Sequence, residues 1–183
     1  METSSTPTRF MSQELEKIRE SYKPKKVKVL FVGESPPSKG TFFYNSDSNL
    51  YKCIHKAFRN IYGAKCSEGI EFLKFFKELG CYLDDLSYEP INNEIPTERL
   101  RFRNNGIGPL AKRIKEMQPK VIIIVMKEIE PEVKSAVNQS GLSNVLIHIT
   151  PFPAFTERNK QRCVSKTENL LLGLISKNIL TKI

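Results

Sequence analysis

The sequence predicts an α/β fold, a three-layer sandwich with a central four-stranded parallel sheet, and three observations predict it. Four short runs have strand character: "KVKVLFV" at 26–32, "CYLDDLS" at 81–87, "KVIIIVM" at 120–126 and "NVLIHI" at 144–149. Segments with helical periodicity separate them, and strands alternating with helices imply right-handed crossovers and a sheet covered on both faces. At 183 residues the chain can bury one sizeable core. We therefore expect residues 1–22 to form an N-terminal tail and helix, and residues 23–183 to form a single α/β domain.

The elements follow in order. The first ten residues read as loose, and "MSQELEKIRESY" at 11–22 has helical spacing and strong helix formers. The first strand is rich in valine and ends at Gly33, as a buried parallel strand would. In "NLYKCIHKAFRNIYG", Leu50, Ile54, Ala57, Phe58 and Ile61 fall on one helical stripe that stops at Gly63. A helix over about 68–79 presents Ile70, Leu73 and Phe76 and stops at Gly80.

The second strand carries Asp84 and Asp85 near its end, and Pro90, Asn92, Asn93 and Pro96 make the next segment a loop. Thr97 is expected to cap a basic helix that Gly106, Gly108 and Pro109 break or kink. Glu130 and Pro131 start a short helix ending at Gly141, and a helix over about 157–177 closes the chain.

Composition excludes several classes. No apolar run approaches the roughly 20 residues needed to span a bilayer, and the N-terminal stretch lacks the apolar core of a secretory signal, so the expected compartment is the cytoplasm. Cys53, Cys66, Cys81 and Cys163 contain no C-x-x-C pair, and His55 and His148 stand alone, so metal spacing is absent and buried thiols are expected. A formal charge of +9 favours a polyanionic partner such as nucleic acid or anionic lipid, and composition alone does not choose between them.

Ligands of an open parallel sheet bind beyond the carboxyl ends of its strands. That rule gathers "GESPPSKGTFFY", Asp84 and Asp85, "KEIEP" and "TPFPAFTERNKQR" at one rim. The first loop matches neither a P-loop nor a dinucleotide fingerprint, and Pro36 and Pro37 remove two amide donors a phosphate nest would use. It offers instead a stiff turn holding Glu34 and Ser35, then the flat apolar rings of Phe42 and Phe43. A carboxylate, hydroxyls and an aromatic plate suit the gripping of a nucleobase beside an activated water. Arg158, Lys160 and Arg162 follow the fourth loop in the first turns of the last helix, where the macrodipole disfavours cations by about 0.3–1 kcal/mol each unless an anion is near. DNA phosphates fit that need.

With these segments in place, the chain resembles the uracil-DNA glycosylase superfamily over residues 27–175. "GESPP" is similar to the family's first motif, "YLDDL" occupies the place of its base-reading strand, and "TPFPAF" that of its second motif, which enters the minor groove. The resemblance implies a uracil-DNA glycosylase-like fold, eversion of a damaged base from DNA, and hydrolysis of its N-glycosidic bond in base-excision repair by a monomer. It implies that Glu34 and Ser35 lie beside the attacking water, that Phe43 or Phe42 stacks on the base, and that Asp85 faces the base edge. Thr150 or Pro151 aligns with the second-motif histidine, and His148 lies two residues before Thr150 on the strand. Ser38, Lys39, Pro151, Phe152, Pro153, Phe155, Thr156, Arg158, Lys160 and Arg162 are then the DNA-contacting set.

Three departures qualify the match. Ser35 stands where other branches have aspartate or asparagine, and Asp85 stands where asparagine commonly reads uracil. The closely spaced cysteine pair of the iron-sulfur branch is missing, so no cofactor is expected. A nucleic-acid-binding, damage-sensing protein without turnover, and an enzyme acting on free nucleosides or nucleotides, are the alternative readings.

Overall fold

The computed structural model describes residues 6–154 and 156–182. Its centre is one parallel sheet in the order β2-β1-β3-β4, built from β1 (Val29–Gly33), β2 (Cys81–Asp85), β3 (Val121–Ile124) and β4 (Leu146–Ile149). The two interior strands, β1 and β3, and the β2 edge are buried along their length, as runs covered on both faces should be. β4, at the other edge, is half-buried. This is the α/β class that the alternating pattern predicts.

Among the described residues six α-helices complete the fold: α1 (Thr6–Ser21), α2 (Asn49–Tyr62), α3 (Ile70–Glu78), α4 (Pro96–Met117), α5 (Glu130–Ser140) and α6 (Glu157–Ser176). On one face α2 packs against α6, and the rings of Phe58, Phe72 and Phe76 tie α2 and α3 to Phe31 of β1. α4 and α5 pack against each other on the opposite face. α1 lies against β2 and sends Arg19 into the interior, where it is 1% exposed. No described helix is long and apolar enough to cross a membrane.

Several elements differ from the sequence expectation. α1 begins at Thr6 although residues 1–10 read as loose; residues 1–5 lie outside the described set. Ile70, expected on the buried stripe of α3, is 57% exposed because it opens the helix, and Phe72 and Phe75 join Leu73 and Phe76 inside. α4 starts at Pro96, where a proline costs no hydrogen bond, so Thr97 is not its cap.

The expected break in α4 is absent: the helix runs through Gly106, Gly108 and Pro109 without interruption. Pro109 removes only the bond to the carbonyl of Asn105, which is exposed and can bind water. Gly106 has a packing reason, since a Cβ there would stand 2.4 Å from the carbonyl oxygen of Leu86. The glycine lets α4 cross the exit of β2 at close range, and this places its arginines over the strand ends.

Candidate functional site

Register fixes where the four loops begin. Gly33 pairs with Asp85, Val32 with Ile124, and Ile124 with Ile149, so the carboxyl ends of all four strands lie nearly level. Beyond them opens a cavity of about 300 Å³, lined by Glu34, Ser35, Phe42, Phe43, Asp85 and Phe152, among others. Residues separated by more than a hundred positions thus meet at one rim. The volume falls at the small end of ligand sites, room enough for one planar heterocycle.

Glu34 leaves β1 into the reach of α4. Arg99 Nε donates to Glu34 Oε1 at 2.7 Å, Arg103 Nε donates to the same oxygen at 2.6 Å, and Arg99 also donates to Oε2. Arg99 and Arg103 are four residues apart, so they share one helix face. The glutamate that the sequence presents alone is thus gripped by two guanidiniums, and its carboxylate is 9% exposed. The loop itself is pinned to the segment after β2. Ser35 Oγ accepts from the Ile91 amide at 3.4 Å, the Ser38 amide donates to Asn92 Oδ1 at 3.1 Å, and Asn93 Nδ2 donates to Ser38 Oγ at 2.9 Å. Ser38 therefore has a loop-fastening role in this structure, while Lys39 beside it is exposed.

Asp85 ends β2 inside a buried charge network. Arg19 of α1 donates to its Oδ2 and, at 3.4 Å, to Asp84 Oδ1; Arg113 of α4 donates to Asp84 Oδ2 at 2.7 Å and to the Asp85 carbonyl at 2.6 Å. The Tyr88 ring takes both guanidiniums within cation–π distance, Arg19 at 4.9 Å and Arg113 at 4.1 Å from its centroid. Burial, reinforced by the Asp84 charge, pushes the Asp85 carboxyl up to about 6 against the opposing pull of Arg19 and Arg113. A side chain at Gly33 is excluded, since its Cβ would come within 2.4 Å of Asp85 Oδ1. The missing Cβ leaves that oxygen its place beside β1.

Phe42 and Phe43 are each 3% exposed, so they are core residues and cavity wall at once. Phe43 is braced by Tyr44, Tyr51 and Phe76 with ring centroids 5.1–5.8 Å away. Asp47 fixes the turn by accepting from the Phe42 amide at 2.7 Å. The first turn of α2 joins the wall through Ser48, Asn49 and Leu50, with the Ser48 side chain capping the Tyr51 amide at 3.1 Å.

Two residues expected at the base do not line this cavity. Thr150 is 2% exposed, and its amide extends the ladder by donating to the Ile124 carbonyl at 2.9 Å. His148 sits on the edge strand, where burial and then Lys177 and Lys166 hold its imidazole below its ordinary range and favour the neutral ring. His148 is absent from the cavity lining to which Asp85 belongs.

The expected DNA-contacting residues also divide. Pro151, Arg158 and Arg162 line a second, open groove of about 680 Å³ with Lys127 and Lys166, while Phe152, 40% exposed, lines the cavity. Lys160 lies off this groove and pairs with Glu157 at 2.6 Å, because two positions of helix turn it away from Arg158 and Arg162. Pro153 is buried, Thr156 caps α6 by accepting from the Asn159 amide at 3.1 Å, and Phe155 lies outside the described residues.

Sequence reasoning missed Arg19, Arg99, Arg103 and Arg113. The four-residue spacing in "RLRFR" was a usable signal for Arg99 and Arg103, and no comparable signal marks Arg19 among the charges of "EKIRE". The sequence matches the model of the uracil DNA glycosylase superfamily over residues 20–173, so Arg19 lies just outside the matched segment. No curated protein matches the chain. A match of that extent, on a four-stranded parallel sheet with the first-motif loop at its rim, shows that the chain belongs to the uracil DNA glycosylase superfamily.

Proposed function

We propose that this protein is a DNA glycosylase that hydrolyses the N-glycosidic bond of a deaminated base, acting as a monomer and without a metal. One observation carries the reading: Glu34, Ser35, Phe42, Phe43 and Asp85 face a single cavity sized for one base. Extruding a base costs a few kcal/mol, and a stiff aromatic wall with one polar reader at its end offsets that cost by stacking and hydrogen bonding.

In the proposed reaction, water forms a bond to the sugar carbon while the carbon–nitrogen bond breaks, the bonding pair leaves on the base, and the proton shed by the water passes through solvent to that base. Glu34 and Ser35 hold the water, and Arg99 and Arg103 fix the Glu34 carboxylate in orientation. With its oxygens already accepting from two guanidiniums, Glu34 works by accepting a hydrogen bond from water more than by removing its proton. The departing base carries negative charge, which the first turn of α2 in the cavity wall favours. Asp85 reads the edge of the base. Ionised, it only accepts hydrogen bonds and selects a base that presents donors; protonated, it can donate to a carbonyl.

The arginine grip on Glu34 also favours a second reading, a damage-binding protein without turnover, since both carboxylate oxygens already accept from guanidiniums and have little left to offer a water. Labelled oligonucleotides carrying uracil, hypoxanthine or xanthine, incubated with excess folded protein and then alkali, separate the two. The glycosylase reading expects strand breaks at one or more lesions. Tight, salt-sensitive binding with no break at any of them would favour the sensor.

A further inference from the structure

Two of the four cysteines meet across a helix interface that the glycosylase reading does not use. Cys53 lies on the buried face of α2 and Cys163 on the buried face of α6, the two helices that pack together on one side of the sheet. A hydrogen bond between the two thiols is the largest single influence on each of them. Helices packed at about 8–10 Å, with Cα atoms about 2.3 Å from each axis, hold facing Cα atoms about 4–6 Å apart, a separation that a disulfide bridges. Cys66 and Cys81 are buried as well, but burial alone dominates there and pushes their thiols up, that of Cys66 to about 12.

The two members of the pair are not equivalent. Cys53 keeps 5% exposure and Cys163 none. The Cys163 thiol donates to the Cys53 sulfur, and the ammonium groups of Lys160 and Lys56 add to its pull, so the Cys53 thiol is held below its ordinary range against burial and the Glu157 charge. The Cys163 thiol is raised, because its proton is held by the Cys53 sulfur and its surroundings are dry. Thr167, one turn beyond Cys163, has a buried hydroxyl with no hydrogen-bond partner, and it can donate to the Cys163 sulfur once that sulfur loses its proton. One thiol is thus the accessible nucleophile and the other its buried resolving partner.

We propose that Cys53 and Cys163, facing each other across the α2–α6 interface, are a dithiol–disulfide pair oxidised by hydrogen peroxide. The Cys53 thiolate attacks one peroxide oxygen and the oxygen–oxygen bond breaks. Cys53, oxidised by two electrons, becomes a sulfenic acid, while the departing hydroxide takes a proton and leaves as water. Cys163 then gives its proton to solvent and attacks the Cys53 sulfur; the sulfur–oxygen bond breaks, and the hydroxide again leaves as water. Two thiols and one peroxide give one disulfide and two waters. The new bond closes a loop of more than a hundred residues. It staples α2, whose first turn lines the strand-end cavity, to α6, which follows the loop of Phe152 in the same lining. Oxidation therefore ties two flanks of the cavity together.

Reduced full-length protein is titrated with hydrogen peroxide in native buffer, quenched with an alkylating agent in denaturant, and mapped by mass spectrometry without reduction. The expected product is one crosslinked peptide pair joining Cys53 to Cys163, with Cys66 and Cys81 alkylated. Its thermal midpoint should exceed that of the reduced protein by several degrees, and dithiothreitol should reverse the gain. Cys163→Ser removes the resolving thiol, so Cys53 should stop as a sulfenic acid that dimedone labels. Cys53→Ser should leave Cys163 unoxidised at the same dose. Should either variant fold poorly, the wild-type map decides alone. A map with no Cys53–Cys163 crosslink at large excess of peroxide, with Cys66 or Cys81 oxidised first, or with the four thiols paired indiscriminately overturns the assignment. Each of these outcomes is read from sulfur chemistry and is independent of whether a base is released.

Discussion

Arg19 and Asp85 form an ion pair from which water is almost excluded, with side chains 1% and 6% exposed, and the pair joins α1 to the end of β2 at the strand-end cavity that Asp85 lines. The arginine comes from the N-terminal helix, outside the segment matched by the superfamily. An isolated buried guanidinium or carboxylate would cost several kcal/mol, so each partner makes the other tolerable.

Arg19→Met should therefore destabilise the protein by about 3–5 kcal/mol, because it leaves Asp85 buried without its cation. Urea unfolding followed by circular dichroism measures this. Adding Asp85→Asn to that variant should recover part of the loss. No recovery would mean that Arg19 acts through its other contacts with Asp84, Glu16 and Tyr88.

The Asp85 carboxyl is raised from 3.8 to about 6 in the folded protein, with burial the main cause. Between these values the folded state holds a proton that the unfolded chain has released. The stability linked to this group is fully present below about 3.8 and is lost as pH rises through about 6. Activity should follow the same titration: removal of uracil or hypoxanthine, whose carbonyls need a donor, should rise as pH falls through about 6. Asp85→Asn supplies a donor at every pH, so its base-release profile should flatten there. Identical pH profiles for both proteins would remove Asp85 from base reading.

Gly33→Ala tests the close approach of β1 to Asp85. The new Cβ would lie 2.4 Å from Asp85 Oδ1, so either the carboxylate or the strand must shift. The expected loss is about 1–3 kcal/mol of stability, as for other overpacked interiors, together with loss of base release. Thermal melting and the alkali-cleavage assay read the two effects, and an unchanged protein would show that the space is not as tight as described.

Glu34→Gln separates orientation from proton removal. The amide keeps one acceptor oxygen but loses its charge, leaving Arg99 and Arg103 without their anion. Base release should fall by about 10²-fold, with a loss of midpoint temperature from the broken ion pairs. Arg103→Lys, which keeps a cation near Glu34, should show a smaller fall. Full activity in Glu34→Gln would move the water to other residues.

The order of elements was legible because hydrophobic periodicity survives in the chain: the valine and isoleucine runs became β1 and β3, and Gly63 and Gly141 ended α2 and α5 where helical patterns stopped. The rim was legible through topology, since parallel strands must send their exits to one side. What stayed hidden depends on three-dimensional pairing. The partners of Glu34 lie 65 and 69 residues away and that of Asp85 lies 66 residues away, distances over which charge pattern carries no register. Gly106 read as a helix breaker because composition cannot reveal that the Leu86 carbonyl, just past β2, occupies the space of its side chain. Lys160 read as equivalent to Arg158 and Arg162, and only the helix phase divides them.

The central claim, that the cavity at the strand ends receives an everted base, is tested most directly by filling it. Thr41 lines the cavity yet is exposed, so Thr41→Trp can obstruct the space without disturbing the core. Free base released from a lesion-bearing oligonucleotide is quantified by mass spectrometry for wild type and variant, with melting temperature and binding to undamaged DNA as controls. The account predicts base release by the wild type and its loss in Thr41→Trp, with folding and undamaged-DNA binding retained. Undiminished release by the folded variant would contradict it.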